Sequence, residues 1–252
     1  SDVYKRQEYG SGDGVKYFKW DKTDKLKLVE TTNSAEAEIT AKYDTTKLQN
    51  RLKNTTENSA TNIEGGSFVN QTTGSTSGDQ CGGAIYNKGS SAKLGDINAD
   101  FVGNYASGES AEAVGGAIAN SYGEIKNITG NFIGNNVQSE GLAVGGAISN
   151  EDLIGEWDYD EEKLVSGTGI VNSSFYGNYA KAEGEYALAM GGAIATLTDL
   201  NIIAKDGYTS VFSGNYIENN GERDDNAIYA GYGSTINFEM KNGGKFVMAD
   251  NI

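Results

Sequence analysis

Chemistry-bearing side chains cluster in two places along the 252 residues. The stretch Glu151–Lys163, EDLIGEWDYDEEK, sets Trp157 and Tyr159 among Glu156, Asp158, Asp160, Glu161 and Glu162. Aromatic rings bordered by carboxylates stack on sugar rings or anchor a protein partner. Trp157, Asp158, Tyr159 and Asp160 are therefore the candidate partner-binding residues, against the plainer reading of a solvated acidic loop whose Trp packs back on its own domain. Clustered carboxylates also attract hard cations, but DYDEE lacks the ligand spacing and glycine of an EF-hand loop and no GGxGxD nonapeptide occurs, so no metal site is assigned. The second cluster, GERDDN at Gly221–Asn226, puts Arg223 beside Glu222, Asp224 and Asp225. An Arg base next to acidic groups would suit a polysaccharide lyase, whereas a polar turn with local ion pairs needs no function. A glycosidase requires two carboxylates at a set separation, and carboxylates are too many here to select a pair.

Other chemistry is excluded by what the chain lacks. With no His, neither a Ser-His-Asp nor a Cys-His nucleophile can be assembled, and the commonest metal ligand is missing. Cys81 is the only cysteine, which rules out an intrachain disulfide framework and a thiolate zinc cluster and reads as a lone buried thiol. No catalytic residue and no cofactor is assigned. Lys and Arg number 11 against 9 Asp and Glu within residues 1–53, leaving 9 against 26 in the remainder, so the body is strongly acidic. Such a surface repels phosphate backbones and anionic lipid, which excludes nucleic acid as a partner. No apolar run approaches a membrane span, so this stretch of chain is not expected to insert directly into a bilayer.

The elements that position these clusters are written in two alternating motifs. GGAIYN occupies Gly82–Asn87, GGAIAN Gly115–Asn120, GGAISN Gly145–Asn150 and GGAIAT Gly191–Thr196; between them stand FVGN at Phe101–Asn104, FIGN at Phe132–Asn135, FYGN at Phe175–Asn178 and FSGN at Phe212–Asn215. Phe68–Asn70 and Asn226–Ile228 are worn copies. Spacing through Ala84, Ala117, Ala147, Ala193 and Ala227 is 33, 30, 46 and 34 residues, the period of a stacked array. Windows such as EIKNITGNFIGNN are too rich in Gly, Asn and β-branched residues for paired amphipathic helices, so the array is a β-solenoid.

Within one coil, Ala117–Asn120, Glu124–Gly130 and Asn131–Asn135 read as three strands followed by a longer polar segment, giving a three-faced, triangular coil. Alternation places Ile128, Gly130 and Phe132 on one face, with Ile97, Ala99 and Phe101, then Val171, Ser173 and Phe175, then Tyr208, Ser210 and Phe212 in the same order. Stacked at about 4.8 Å per coil, the Phe residues form a continuous internal spine. In GGAIxN the two glycines permit a corner where side chains would collide: Gly82 and Gly83, Gly115 and Gly116, Gly145 and Gly146, Gly191 and Gly192. Ile and Asn share a parity, so Asn120 and Asn150 are placed to stack as an internal amide ladder.

The alternating GGAI and FxxN motifs resemble those of the passenger domains of chlamydial-type polymorphic outer membrane proteins and related autotransporter adhesins, over about residues 65–238. The resemblance implies an all-β, right-handed single-stranded parallel β-helix of pectin-lyase-like architecture. It implies display at a Gram-negative cell surface through a C-terminal β-barrel, or secretion, and adhesion to a host-cell or extracellular protein or glycan, with the GGAI and FxxN motifs taking part in binding. Their geometry reads instead as core and corner, because buried Phe and corner Gly are what a coil needs. The non-catalytic reading stands beside two others: a polysaccharide-binding or polysaccharide-degrading β-helix, and a purely structural surface stalk.

Residues 1–14 read as an artefactual or disordered tail and 15–64 as an N-terminal cap or lead-in, with strands at KYFKWDK and KLKLVE and a short helix at DTTKLQNRLK carrying Asp44, Leu48 and Leu52. Residues 65–252 read as β-helix repeats that run on to the last residue given, as in a truncated array. Asn150 to Phe175 spans 13 residues more than Asn120 to Phe132, and the excess is assigned to 151–163, a position where solenoids bulge and bind.

Overall fold

The computed structural model describes residues 15–20, 28–31, 39–42, 52–54, 61–75, 79–108 and 112–252. Val15–Trp20 is the centre of a three-stranded antiparallel sheet, flanked by Leu28–Thr31 and Ile39–Lys42. From Leu52 onward the described residues form a parallel β-helix of about five turns, apart from one inserted antiparallel hairpin and one antiparallel edge strand, and no α-helix is present among them.

Coils carry more strand segments than the three expected, and the number varies from coil to coil. In the coil that starts at Ala117 they are Ile118–Ser121, Glu124–Thr129, Asn131–Ile133, Asn136–Ser139 and Leu142–Val144. The segment read as a polar excursion thus supplies two strands of its own. Its period-two pattern is short but regular: Val137 and Ser139 point in while Asn136 and Gln138 point out. Stacking gives one parallel ladder from the GGAI strands, a long one from the Ile and Phe strands, and two from the segments after FxxN.

These ladders enclose two cores that meet at a waist. The larger holds the Ile residues of the GGAI strands and the Phe spine; the smaller is nearly all alanine, with Ala106, Ala113, Ala143, Ala180 and Ala189 around Val137. The second glycine of each GGAI motif touches the backbone that follows FxxN. A methyl on Gly116 would sit 2.2 Å from the Gly146 carbonyl oxygen and 2.5 Å from that of Asn136; on Gly146 it would sit 2.0 Å from the Gly192 oxygen and 2.6 Å from the Tyr179 nitrogen. Gly115 is limited by conformation as well, with φ +60°. The two motifs alternate in sequence because they face each other across every coil.

The Phe spine forms as expected. Phe101, Phe132, Phe175 and Phe212 are fully buried, and successive ring centroids lie 4.8 Å apart. Burial of each ring contributes about 1.5–3 kcal/mol, so the coils support one another. Partners of the spine differ from the alternation reading in two coils. Ile128 pairs in register with Ile97 and Ile170, and Ile170 with Ile202. Ile170 therefore replaces Val171 because one extra residue, Asn172 at φ 47°, bulges before Phe175. Tyr208 lies outside the core, since a turn at Asp206-Gly207 separates Ile202 from Phe212.

Two polar ladders run beside the apolar ones. Asn104 Nδ2 donates to Asn135 Oδ1 (2.8 Å), Asn135 to Asn178 (2.9 Å), Asn178 to Asn215 (2.9 Å), and Asn215 to the Asp250 carboxylate (2.6 Å). Each amide also donates to a Phe carbonyl of the preceding coil, while its oxygen takes a backbone N–H, so these buried groups are satisfied. In the GGAIxN strands Asn87 donates to Asn120 (2.8 Å), Asn120 to Asn150 (2.9 Å) and Asn150 to the Thr196 hydroxyl (3.1 Å). This is the internal ladder the shared parity of Ile and Asn predicts.

Two boundaries differ from the sequence reading. Leu52–Asn54 is a strand paired in parallel with Ile85–Lys88, and Thr61–Val69 pairs with the long Lys93–Val102 strand, so the solenoid takes in part of the stretch read as lead-in. Leu52 accordingly sits in a strand rather than in the expected helix; Asp44 and Leu48, like residues 1–14, lie outside the described residues. The insertion is 155–168 rather than 151–163. Ile125 pairs with Ile154 and Asn127 with Gly169, so Leu153-Ile154 stay in the wall and Ile154 fills a core position.

Candidate functional site

The repeat motifs spend their side chains inward. Phe101, Phe132, Phe175 and Phe212, and Asn104, Asn135, Asn178 and Asn215, are all 0% exposed, so no receptor reaches them without opening the coil. Chemistry at the surface must come from residues between the motifs.

The insertion leaves the wall after Ile154 as a small antiparallel hairpin, with Trp157 opposite Leu164 and Asp158 opposite Lys163. Its tip is shaped by Asp158, whose carboxylate accepts the backbone N–H groups of Asp160 (2.9 Å) and Glu161 (3.1 Å). Glu156 is tied to Lys126 at 3.0 Å, Glu161 is paired with Lys163, and the Glu156 N–H donates to the Thr168 hydroxyl at 2.8 Å. These bonds hold the base and the tip of the hairpin, and Tyr159 is left 83% exposed at its end. Leu164, opposite Trp157, is buried.

Beside the hairpin lies a cleft of about 510 Å³. It is assembled almost wholly from one place in the repeat, the corner between the GGAIxN strand and the next strand. Glu124 comes from that corner in one coil, Asp152 and Leu153 from the next, Leu197, Thr198 and Asp199 from the third, and Tyr232, Gly233 and Ser234 from the fourth; the hairpin adds Trp157, Tyr159 and Leu164. Tyr232 stands fully in solvent and Leu197 is 54% exposed, while Trp157 is half-buried. Lys93 neutralises Glu124 at 2.7 Å, and the Thr235 N–H donates to Asp199 at 2.8 Å. Burial, reinforced by the nearby Glu124 charge, pushes the Asp152 carboxyl above the usual carboxylate range. Thr198 is fixed by donating to the Asp152 carbonyl and accepting from Asn150 at 3.0 Å. The Ser234 hydroxyl is shielded from solvent and has no hydrogen-bond partner.

Of the residues singled out from sequence, Trp157 and Tyr159 line this cleft; Asp158 serves the turn and Asp160 stands exposed outside the lining. The reading missed Asp152, Leu197, Asp199, Tyr232 and Ser234 as surface partners of the aromatic pair. Their signal was present but faint: each falls four to seven residues after the motif alanine of its own coil.

Arg223 lies elsewhere. Glu222–Asp224 is not a bare turn but an antiparallel strand folded onto Tyr216–Asn219, which closes the edge of that ladder. The guanidinium sits 3.7 Å from the centroid of Tyr216 and 3.5 Å from Asp225. Tyr216 in turn stacks on Tyr179 at 5.0 Å. The group weighed as a lyase base is thus engaged in packing and a surface ion pair.

Cys81 is half-buried rather than fully enclosed, and burial pushes its thiol up despite a hydrogen bond with Tyr86. Among the described residues no group of three or more Asp, Glu, Cys or His is placed to hold a metal ion. No helix there is long and apolar enough to cross a membrane. No family model, curated protein or solved structure matches the chain.

Proposed function

We propose that this chain is a non-catalytic binding segment of a bacterial surface or secreted protein, acting in adhesion to a host cell or extracellular surface. The observation that carries this reading is the division of labour within the coil. Motif side chains are consumed by the two cores, while one corner per coil is free to vary and four such corners converge with an inserted hairpin on a single cleft. Insertions and corner loops on a rigid solenoid are where binding surfaces concentrate. The GGAI and FxxN resemblance supports placement outside the cell.

A polysaccharide-degrading role is the second reading, favoured by three carboxylates in the cleft, Glu124, Asp152 and Asp199. Beads coated with the purified chain, compared with beads carrying a version in which 156–167 is replaced by a short Gly-Ser link, test the proposal on cultured animal cells and matrix proteins. Adhesion of the first and weakened adhesion of the second is the expected result. Equal adhesion of both would favour the stalk, and adhesion no better than bare beads would remove the adhesin reading. Release of reducing ends from a polysaccharide panel would replace it with catalysis.

A further inference from the structure

Its position along the solenoid says what kind of ligand the cleft fits. Its corner residues come from successive coils, so the cleft runs parallel to the axis, with a repeat equal to the 4.8 Å separation of the stacked rings beneath it. An extended polymer lying along the axis would meet equivalent corners in sequence. The groups presented are of two kinds. Tyr159 and Tyr232 offer exposed aromatic rings, Trp157 a half-exposed one and Leu197 an apolar edge; Asp152 and Asp199 offer carboxylate acceptors.

Pyranose rings match that mixture. Their axial C–H faces are apolar and pack on aromatic rings, while their rims carry vicinal hydroxyls that donate to carboxylates. A peptide would need a sheet edge or a deep apolar pocket for its side chains, and this cleft presents corners rather than a free strand edge. Charge selects further. Of the cleft carboxylates Glu124, Asp152 and Asp199, only Glu124 is paired with a cation among the described residues, at 2.7 Å from Lys93, and the body around the cleft is acidic, so uronic or sialic acid units would be repelled.

We propose that the cleft is a subsite for an uncharged glycan chain laid along the solenoid axis, with Tyr159 and Tyr232 as stacking platforms and Asp152 and Asp199 as hydrogen-bonding partners of its hydroxyls. This rests on the reading of the chain as a binding segment and names its ligand class. Asp152, partly shielded and without a hydrogen-bond donor of its own among the described residues, gains most from a hydroxyl that arrives with the ligand.

Titration calorimetry of the whole chain against neutral oligosaccharides of increasing length, with oligogalacturonate as the anionic probe, tests the proposal. The expected result is binding of at least one neutral series, tightening as units are added until the cleft is filled, and no measurable binding of oligogalacturonate. Tyr232→Ala and Tyr159→Ala remove exposed rings without disturbing the coil, and each should weaken the neutral ligand about two- to tenfold. Asp199→Asn should retain part of the affinity and admit the anionic probe. Failure of every neutral series to bind, tighter binding of oligogalacturonate, or unchanged affinity in both tyrosine variants would overturn the proposal. Bead adhesion that survives while no neutral glycan binds would leave the adhesin reading in place without this ligand; glycan binding without adhesion would do the reverse.

Discussion

The two ends of the GGAIxN strand obey different rules. At its start the Gly-Gly pair lies against the backbone after FxxN, with no room for a methyl at Gly83, Gly116, Gly146 or Gly192. A few residues later, past the Asn, the corner opens to solvent and differs in every coil: Tyr122-Gly123 in one, a path to the hairpin in the next, Leu197-Thr198-Asp199 and then Tyr232-Gly233-Ser234 in the others. One end is closed by contact between main chains that leaves no space for a side chain; the other is tied by single backbone hydrogen bonds such as Leu197 N–H to the Asn150 carbonyl and, in most coils, by a buried Asn or Thr side chain. The comparison explains how a chain can repeat its core strictly while assembling a cleft from residues that never repeat.

Three measurements sharpen that contrast. Gly146→Ala forces a Cβ to within 2.0 Å of the Gly192 oxygen and should cost about 3 kcal/mol or more in denaturant unfolding; Leu197→Ala, at the opposite end of the neighbouring strand, should stay within about 0.5 kcal/mol. Equal effects would dissolve the distinction between waist and corner. Asn135→Ala removes the acceptor for Asn104 and the donor to Phe101 and Asn178 in one step. A loss of about 2–3 kcal/mol is expected, because buried partners are left unsatisfied; a variant as stable as the parent would show that the ladder contributes nothing net.

The smallest effect concerns pH. Burial raises the carboxyls of Glu112, Asp152 and Asp250, with Glu151 and Asp79 adding to the first, Glu124 to the second and Asp225 to the third, although bonds from Asn215 and Gly214 partly offset the shift at Asp250. A carboxyl whose folded pKa exceeds its unfolded one contributes stability that is complete below the unfolded value and disappears as pH rises through the folded value. The melting temperature should therefore climb modestly as pH falls from neutral toward the upper end of the carboxylate range, and Glu112→Gln should shallow that climb. A melting temperature that falls steadily over the same interval would contradict the shielding of these groups.

Much of the interior could be read from residue types. The Phe spine follows from one motif and one periodicity, and the GGAIxN amide ladder from the shared parity of Ile and Asn. What the reading missed has a common physical origin. Asn136–Ser139 and Leu142–Val144 read as a polar excursion in sequence because alanine fills the smaller core, and alanine gives a weak hydrophobic signal. The Ile170 register was lost because a single bulged residue reverses the alternation. The cleft was half legible: Trp157 and Tyr159 stand out as aromatics in an acidic insertion, whereas Tyr232 and Asp199 join them only through stacking of corners more than thirty residues apart.

The FxxN amides have a consequence for anyone who would cut or splice this array. One proton of every Nδ2 goes to the side chain of the higher-numbered coil, so the side-chain column is a one-way relay in which each amide both receives and gives, and Asp250 is able only to receive. A shortened version ending one turn earlier would leave Asn215 with one proton and no taker within the column, the other still held by the Phe175 carbonyl. Changing Asn215 itself to Asp in that shortened version would restore a proper stop, and grafted coils should be joined only in the head-to-tail sense that keeps the relay running.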